Sequence, residues 1–285
     1  MENLKTLKNL IDRNENKRKK LYDKTIKILD DFVQENKMFF LEWHDKKPYL
    51  VRGSFAHNLD SDYTTNIDIW ILLKKVSKKD DEEHNLFIFN WFEGMMKEKF
   101  AQYSVSTYQT KSSIDINIED HFNISVVPFV LDREQNIRRM YKTKKGSLSL
   151  DEETDILPEP EFNVKFKKIG TKGSRDNIRT LIIALKIIIQ NKFPNISGDI
   201  IENFILDTYM DLGKINHITA FRKVISKVAY GDLNTYVIEK YSKWKTYEKY
   251  EQDFARLQKM AREMDEKIRE KNSENYIDIL IHYIS

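Results

Sequence analysis

The sequence contains no cysteine, which excludes disulfides and any cysteine-ligated zinc and fits a reducing, cytoplasmic setting. Glycine and proline are scarce, at 8 and 5 residues. The sequence shows no internal repeat and no low-complexity tail. No stretch reaches the ~18 consecutive apolar residues of a membrane span, and Met1 to Lys20 holds no apolar signal core. Neither a membrane nor a secretory route is expected. An excess of one charge is also missing, because 48 Lys and Arg against 45 Asp and Glu leave a net charge of +3. That balance does not by itself call for nucleic acid.

What is present is a 285-residue chain that is 40% apolar and 12% aromatic, enough for a sizeable core in one large domain or two lobes. Residues 1 to 36 read as helical. Leu4, Leu7, Leu10 and Ile11 form a short stripe, and Leu21, Thr25, Ile28, Leu29, Phe32 and Val33 a longer one. The charged run Asn14 to Lys20 reads as a solvated face or a break. Leu86 to Phe100 reads as a helix with a broad apolar side. Tyr103 to Thr110, Ser112 to Glu119 and Phe122 to Leu131 read as strands, with Asp120-His121 as a tight turn between the last two. Asp132 to Ser174 reads as a long irregular stretch holding Lys142, Lys144, Lys145, an acidic patch from Asp151 to Asp155, and Pro158 and Pro160. From Asn177 onward the chain is mostly helical: a buried helix through Ile178 to Ile189, then Ile200 to Tyr209, Ile218 to Ala229, Tyr247 to Asn272 and Ile277 to Ile284.

The most informative stretch is Tyr49 to Leu73. A short apolar strand runs into Gly53-Ser54. A polar turn follows, then the alternating strand Asn66-Ile67-Asp68-Ile69-Trp70-Ile71. A Gly-Ser turn can hold phosphate oxygens, because glycine permits close approach and leaves backbone N–H groups available. Period two puts positions 66 and 68 on one face of the strand.

This layout resembles the polymerase-beta-like nucleotidyltransferases, and best the branch of cyclic GMP-AMP synthase, oligoadenylate synthase and the bacterial CD-NTases. The resemblance covers roughly residues 20 to 270 in order and spacing. It implies an α+β, two-lobed fold. An N-terminal lobe over 1–174 would carry a mixed sheet and a brace helix, a helical lobe would span 175–285, and the nucleotide would lie between them. It also implies a third carboxylate on a later strand, where Ser125 stands in Asn123-Ile124-Ser125-Val126-Val127-Pro128. Lys186, inside an apolar helix, would reach the triphosphate opposite the Gly53-Ser54 turn, unless it snorkels or pairs at a helix end. On the next helix Glu202 matches the family. Gly198 stands where a serine is usual, with Ser197 one residue early.

The departures decide the chemistry. The family uses its carboxylates to hold two magnesium ions, which activate the attacking hydroxyl and neutralise the leaving pyrophosphate. Here Asn66 and Ser125 offer neutral oxygens, and Asp68 alone of the three positions is an acid. Magnesium prefers anionic oxygen, so weak binding is expected, with transfer slowed on the order of 10²–10⁴-fold or more. Asp60 and Asp62, or Asp115 with Asn117 and Glu119, could substitute; otherwise they are a solvated turn and an exposed sheet face. Asp68 itself could be an exposed position on an edge strand. His57 and His121 have no spacing that suggests a base or ligand and read as surface residues.

Three functions follow. One is a pseudoenzyme that binds a nucleoside triphosphate or oligonucleotide, in nucleotide signalling or antiviral defence. Another is a working nucleotidyltransferase making a cyclic or linear messenger, with displaced acids or with Asn66 as an introduced substitution. The last is an unrelated α/β interaction module. RNA and protein partners stay open in each.

Overall fold

In the computed structural model, residues 2–11, 15–42, 47–56, 59, 66–74, 82–107, 112–119, 122–132, 134–143, 147–150, 161–194, 196–212, 217–241, 247–270 and 276–284 are described. In chain order the elements are α1 (Glu2–Ile11), α2 (Glu15–Glu35), β1 (Tyr49–Arg52), α3 (Gly53–Ala56), β2 (Asn66–Leu73), α4 (Glu82–Lys99), β3 (Ser104–Thr107), β4 (Ile114–Glu119), β5 (Phe122–Leu131), β6 (Ile137–Lys142), β7 (Leu148–Leu150), α5 (Glu161–Lys167), α6 (Lys172–Lys192), α7 (Gly198–Asp211), α8 (His217–Ala229), α9 (Asp232–Tyr241), α10 (Tyr247–Glu270) and α11 (Tyr276–Ile284). They form two compact units: Asn14–Pro158, and Met1–Arg13 with Glu159–Ser285. The division thus falls before the expected boundary at 174, and α1 groups with the helical unit, where it packs on α6 and α11.

The first unit is built on a mixed sheet in the order β1-β2-β5-β4-β3, with β6 and β7 continuing from β5. Among the described residues, only the β2–β5 pair is parallel. Alternation along β2 sends Ile67, Ile69, Ile71 and Leu73 into the core with no exposure. There they meet Leu29, Phe32 and Val33 of α2 and Phe89, Phe92 and Met96 of α4. Each such side chain contributes roughly 1.5–3 kcal/mol by burial. The opposite face of β2, carrying Asn66, Asp68, Trp70 and Leu72, is thereby fixed away from this core. The Tyr49 hydroxyl donates to Asp30 at 2.5 Å and ties β1 to α2. Burial, then Asp30, pushes the Tyr49 hydroxyl well above its ordinary range.

Glu93 of α4 is a second tie. Lys142 of β6 donates to it at 2.7 Å, and Lys97 and Thr107 also donate. Burial alone would raise the Glu93 pKa, but these hydrogen bonds outweigh it and bring it down to about 2.

The helical unit centres on α6, whose Ile182, Ile183, Ala184, Leu185, Ile187, Ile188 and Ile189 are all buried. A helix apolar all round must be enclosed, and α1, α7, α8 and α11 pack against it. Helices α8 and α10 form the other large contact of this unit.

Several expectations change here. Asp132 to Ser174 is not irregular throughout, since it contains β6, β7, α5 and the start of α6. Both strands are hard to see in sequence. Met140 is the only buried residue of β6, among Arg138, Arg139 and Lys142, and β7 has three residues. Glu15 to Lys20 of the charged run lies inside α2. Helix α9 was not expected, and Gly53-Ser54 opens the single turn α3. Asp60, Asp62, His57, Asp120, His121, Lys144, Lys145, Asp151 to Asp155, Pro158 and Pro160 lie outside the described residues.

Candidate functional site

Strand register assembles the site. Arg52 of β1 faces Asp68 of β2, Asp68 faces Ser125 of β5, Ser125 faces Asp115 of β4, and Asp115 faces Ser106 of β3. Directly opposed residues point to the same side of a sheet, so one polar row crosses five strands. Two residues along β2, Asn66 faces Asn123, which faces Asn117.

Side chains link these rows. Asn66 Nδ2 donates to Asp68 Oδ1 at 3.1 Å. Ser125 Oγ lies 3.1 Å from Asn66 Oδ1 and 2.7 Å from Asp115 Oδ1. A hydroxyl has one proton to give, and the shorter contact to the charged acceptor takes it. The expected site residues Asn66, Asp68 and Ser125 thus lie together. Asp68 is also not on an edge: β2 is paired on both sides.

The Gly53 turn meets the same row. Gly53 has φ +70°, a left-handed conformation that disfavours side chains, and a Cβ there would lie 2.6 Å from Asp68 Oδ2. Glycine is required both by the backbone and by the carboxylate lying against it. Ser54 follows in α3 and is half-buried.

Asp115 corrects the reading of β4 as an exposed face. It is 9% exposed and accepts from Ser125, whereas Asn117 is half-buried and Glu119 is exposed and paired with Lys17. Arg52 is a member of the row that sequence reasoning missed. Its guanidinium lies 4.6 Å from the Trp70 ring centre, and burial lowers its pKa. The signal for both was the strand pairing, which places them opposite recognised residues but which no local pattern specifies.

Lys186 is 2% exposed and donates to Glu202 at 2.8 Å, with Glu202 also 2% exposed. Lys186 sits within α6 and not at its end, and its partner Glu202 is on α7. Gly198 packs on its stem, since a Cβ there would lie 3.2 Å from Lys186 Cε. A serine at 198 would press on the lysine. Ser197 precedes α7 and donates to its neighbour Asp199.

These donors do not fit a pair of magnesium ions. Octahedral magnesium needs several convergent oxygens, mostly anionic. Asp68 has one oxygen on the Asn66 amide and the other against Gly53, while Ser125 turns its proton to Asp115. Among the described residues no group of three or more His, Cys, Asp or Glu could hold a metal ion. Nor, among them, is any helix long and apolar enough to cross a membrane.

No family model and no curated protein sequence matches the chain. Its fold does match solved structures. CdnC of Escherichia coli MS115-1, solved with ATP, aligns with TM-score 0.57 and 14% identity over 82% of this chain and 73% of its own. The Vibrio cholerae di-nucleotide cyclase DncV, in complex with GTP and 5MTHFGLU2, aligns with TM-score 0.55 and 11% identity over 83% and 68%. The same cyclic AMP-GMP synthase with a linear intermediate, pppA(3′,5′)pG, gives TM-score 0.53 and 12% identity over 83% and 67%. The chain shares the α+β fold of these CdnC and DncV structures.

Proposed function

We propose that this chain is a nucleotide- or oligonucleotide-binding protein on a CD-NTase fold whose metal centre has been lost, a cytoplasmic pseudoenzyme of nucleotide signalling or antiviral defence. The observation that carries this reading is the bonding of Asn66 and Ser125. They replace acids with neutral groups and direct their protons at Asp68 and Asp115. Proteins of this fold have been solved with ATP and GTP, which supports a nucleotide as the ligand class. Asn66, Asp68 and Ser125 would then orient the ligand by hydrogen bonds, without the metal-assisted activation that transfer requires.

A second reading is favoured by one observation. Asp115 lies in register across Ser125, so the row holds two carboxylates rather than one. An active enzyme with a displaced acid would use Asp68 and Asp115 together. Incubation with labelled nucleoside triphosphates and magnesium or manganese separates the two. The pseudoenzyme reading expects no product. Product lost on both Asp68→Ala and Asp115→Asn would establish the displaced-acid enzyme instead.

A further inference from the structure

We infer that the row Arg52–Asp68–Ser125–Asp115 takes the hydroxyl-bearing end of its ligand, a ribose diol, without a divalent ion, and does not take a polyphosphate. This rests on the reading of the site as nucleotide-binding and names which part of a nucleotide it accepts.

The ionisable members of the row are Arg52, Asp68 and Asp115, one cation against two anions. The cation is stacked on Trp70. A triphosphate brought to this row without metal would meet two carboxylates, and like charges in a partly desolvated site repel strongly.

Geometry adds a second obstacle. A glycine turn accepts an anion because its backbone can be approached closely. Here Asp68 Oδ2 lies beside Gly53, 2.6 Å from where a Cβ would stand. A phosphate brought to this turn would lie close to the chain's own carboxylate and be repelled by it.

What the row does offer is acceptors. A carboxylate without metal is an acceptor-only group, and paired ribose hydroxyls are donors that carboxylates recognise. Asn66 is exposed and spans Asp68 and Ser125, with donor and acceptor on one amide. A ligand hydroxyl can replace the Asn66 Nδ2 contact to Asp68 Oδ1, and its neighbour can donate to Asn66 Oδ1. The diol could belong to a free nucleoside or to the 3′ end of an oligonucleotide, and these share the same chemistry.

The test is calorimetric titration of the full chain in EDTA with adenosine, guanosine, their 2′,3′-dideoxy forms, ATP and GTP. A short oligoadenylate is compared with the same molecule carrying a 3′-phosphate. We expect a nucleoside to bind, its dideoxy form to bind ~10-fold more weakly or worse, and the triphosphate to bind no tighter than the nucleoside. Oligoadenylate binding that is lost with the 3′-phosphate would identify the oligonucleotide end as the source of the diol. Binding of adenosine or guanosine alone would identify the nucleoside. Asp68→Asn should weaken nucleoside binding while leaving triphosphate binding equal or stronger. Triphosphate binding tighter than nucleoside binding in EDTA, or dideoxy forms binding as well as the parent, would overturn the inference and leave the nucleotide-binding reading standing. Absence of binding by every probe would overturn both.

Discussion

Ser125 and Asp115 face each other across β5 and β4, and the Ser125 hydroxyl donates to the Asp115 carboxylate at 2.7 Å. The serine stands where the sequence resemblance implied an acid, and it is bonded to an acid one strand away. Restoring a carboxylate at 125 would therefore place two anions directly opposite each other.

From that follows the behaviour of Ser125→Asp. Like charges across a strand pair raise one carboxyl's pKa and destabilise the sheet. We expect a loss on the order of 1–2 kcal/mol at neutral pH, shrinking as acid protonates one of the pair. Denaturant melts at several pH values would show it. A variant with unchanged stability at neutral pH would mean that the two side chains do not face each other.

Gly53→Ala tests the other side of the site. Positive φ and a Cβ 2.6 Å from Asp68 Oδ2 both oppose it. A cost of about 1–3 kcal/mol is expected, with Asp68 displaced and ligand binding weakened. Chemical denaturation and nucleoside titration would read the two effects separately.

Glu93 predicts an acid transition. Its folded pKa of about 2 lies below its ordinary value of 4.5. The stability it contributes is therefore complete above pH ~4.5 and is lost as pH falls towards 2. Glu93→Gln should cost on the order of 2–3 kcal/mol at pH 7 and flatten this part of the pH profile. An unchanged acid limb in thermal melts would contradict the assignment.

Lys186→Ala should act first on stability. It leaves Glu202 buried without its cation, at a cost of roughly 3–5 kcal/mol. Lys186→Met combined with Glu202→Leu should recover most of that, because both charges are then gone. If the double variant is no more stable than the single one, the pair is not what holds α6 to α7.

The legible parts of this fold were those set by local period. The alternation of β2, the uniform apolar run of α6 and the paired stripes of α2 and α10 each announce an element within its own sequence. Gly53-Ser54 with Asp68 fifteen positions on was legible for the same reason. β6 was hidden because a strand with one buried residue has no apolar alternation to show. Asp115 was legible as an acid that could substitute at the site, but not as the partner of Ser125. Its role depends on register with Ser125, a contact between strands that neither strand encodes alone. Lys186 shows the same limit: a lysine in an apolar helix must find a partner, but Glu202 is fixed as that partner only by packing of α6 on α7.

The most direct test of the central claim is manganese binding followed by electron paramagnetic resonance, on the unmodified chain and on Asn66→Asp combined with Ser125→Asp. Metal ligands act as a unit, so the single changes should do much less than the pair. The account predicts no tightly bound manganese on the unmodified chain up to about 1 mM, and measurable binding once both acids are restored. About two manganese ions bound per unmodified chain well below that concentration, and lost on Asp68→Ala, would contradict it.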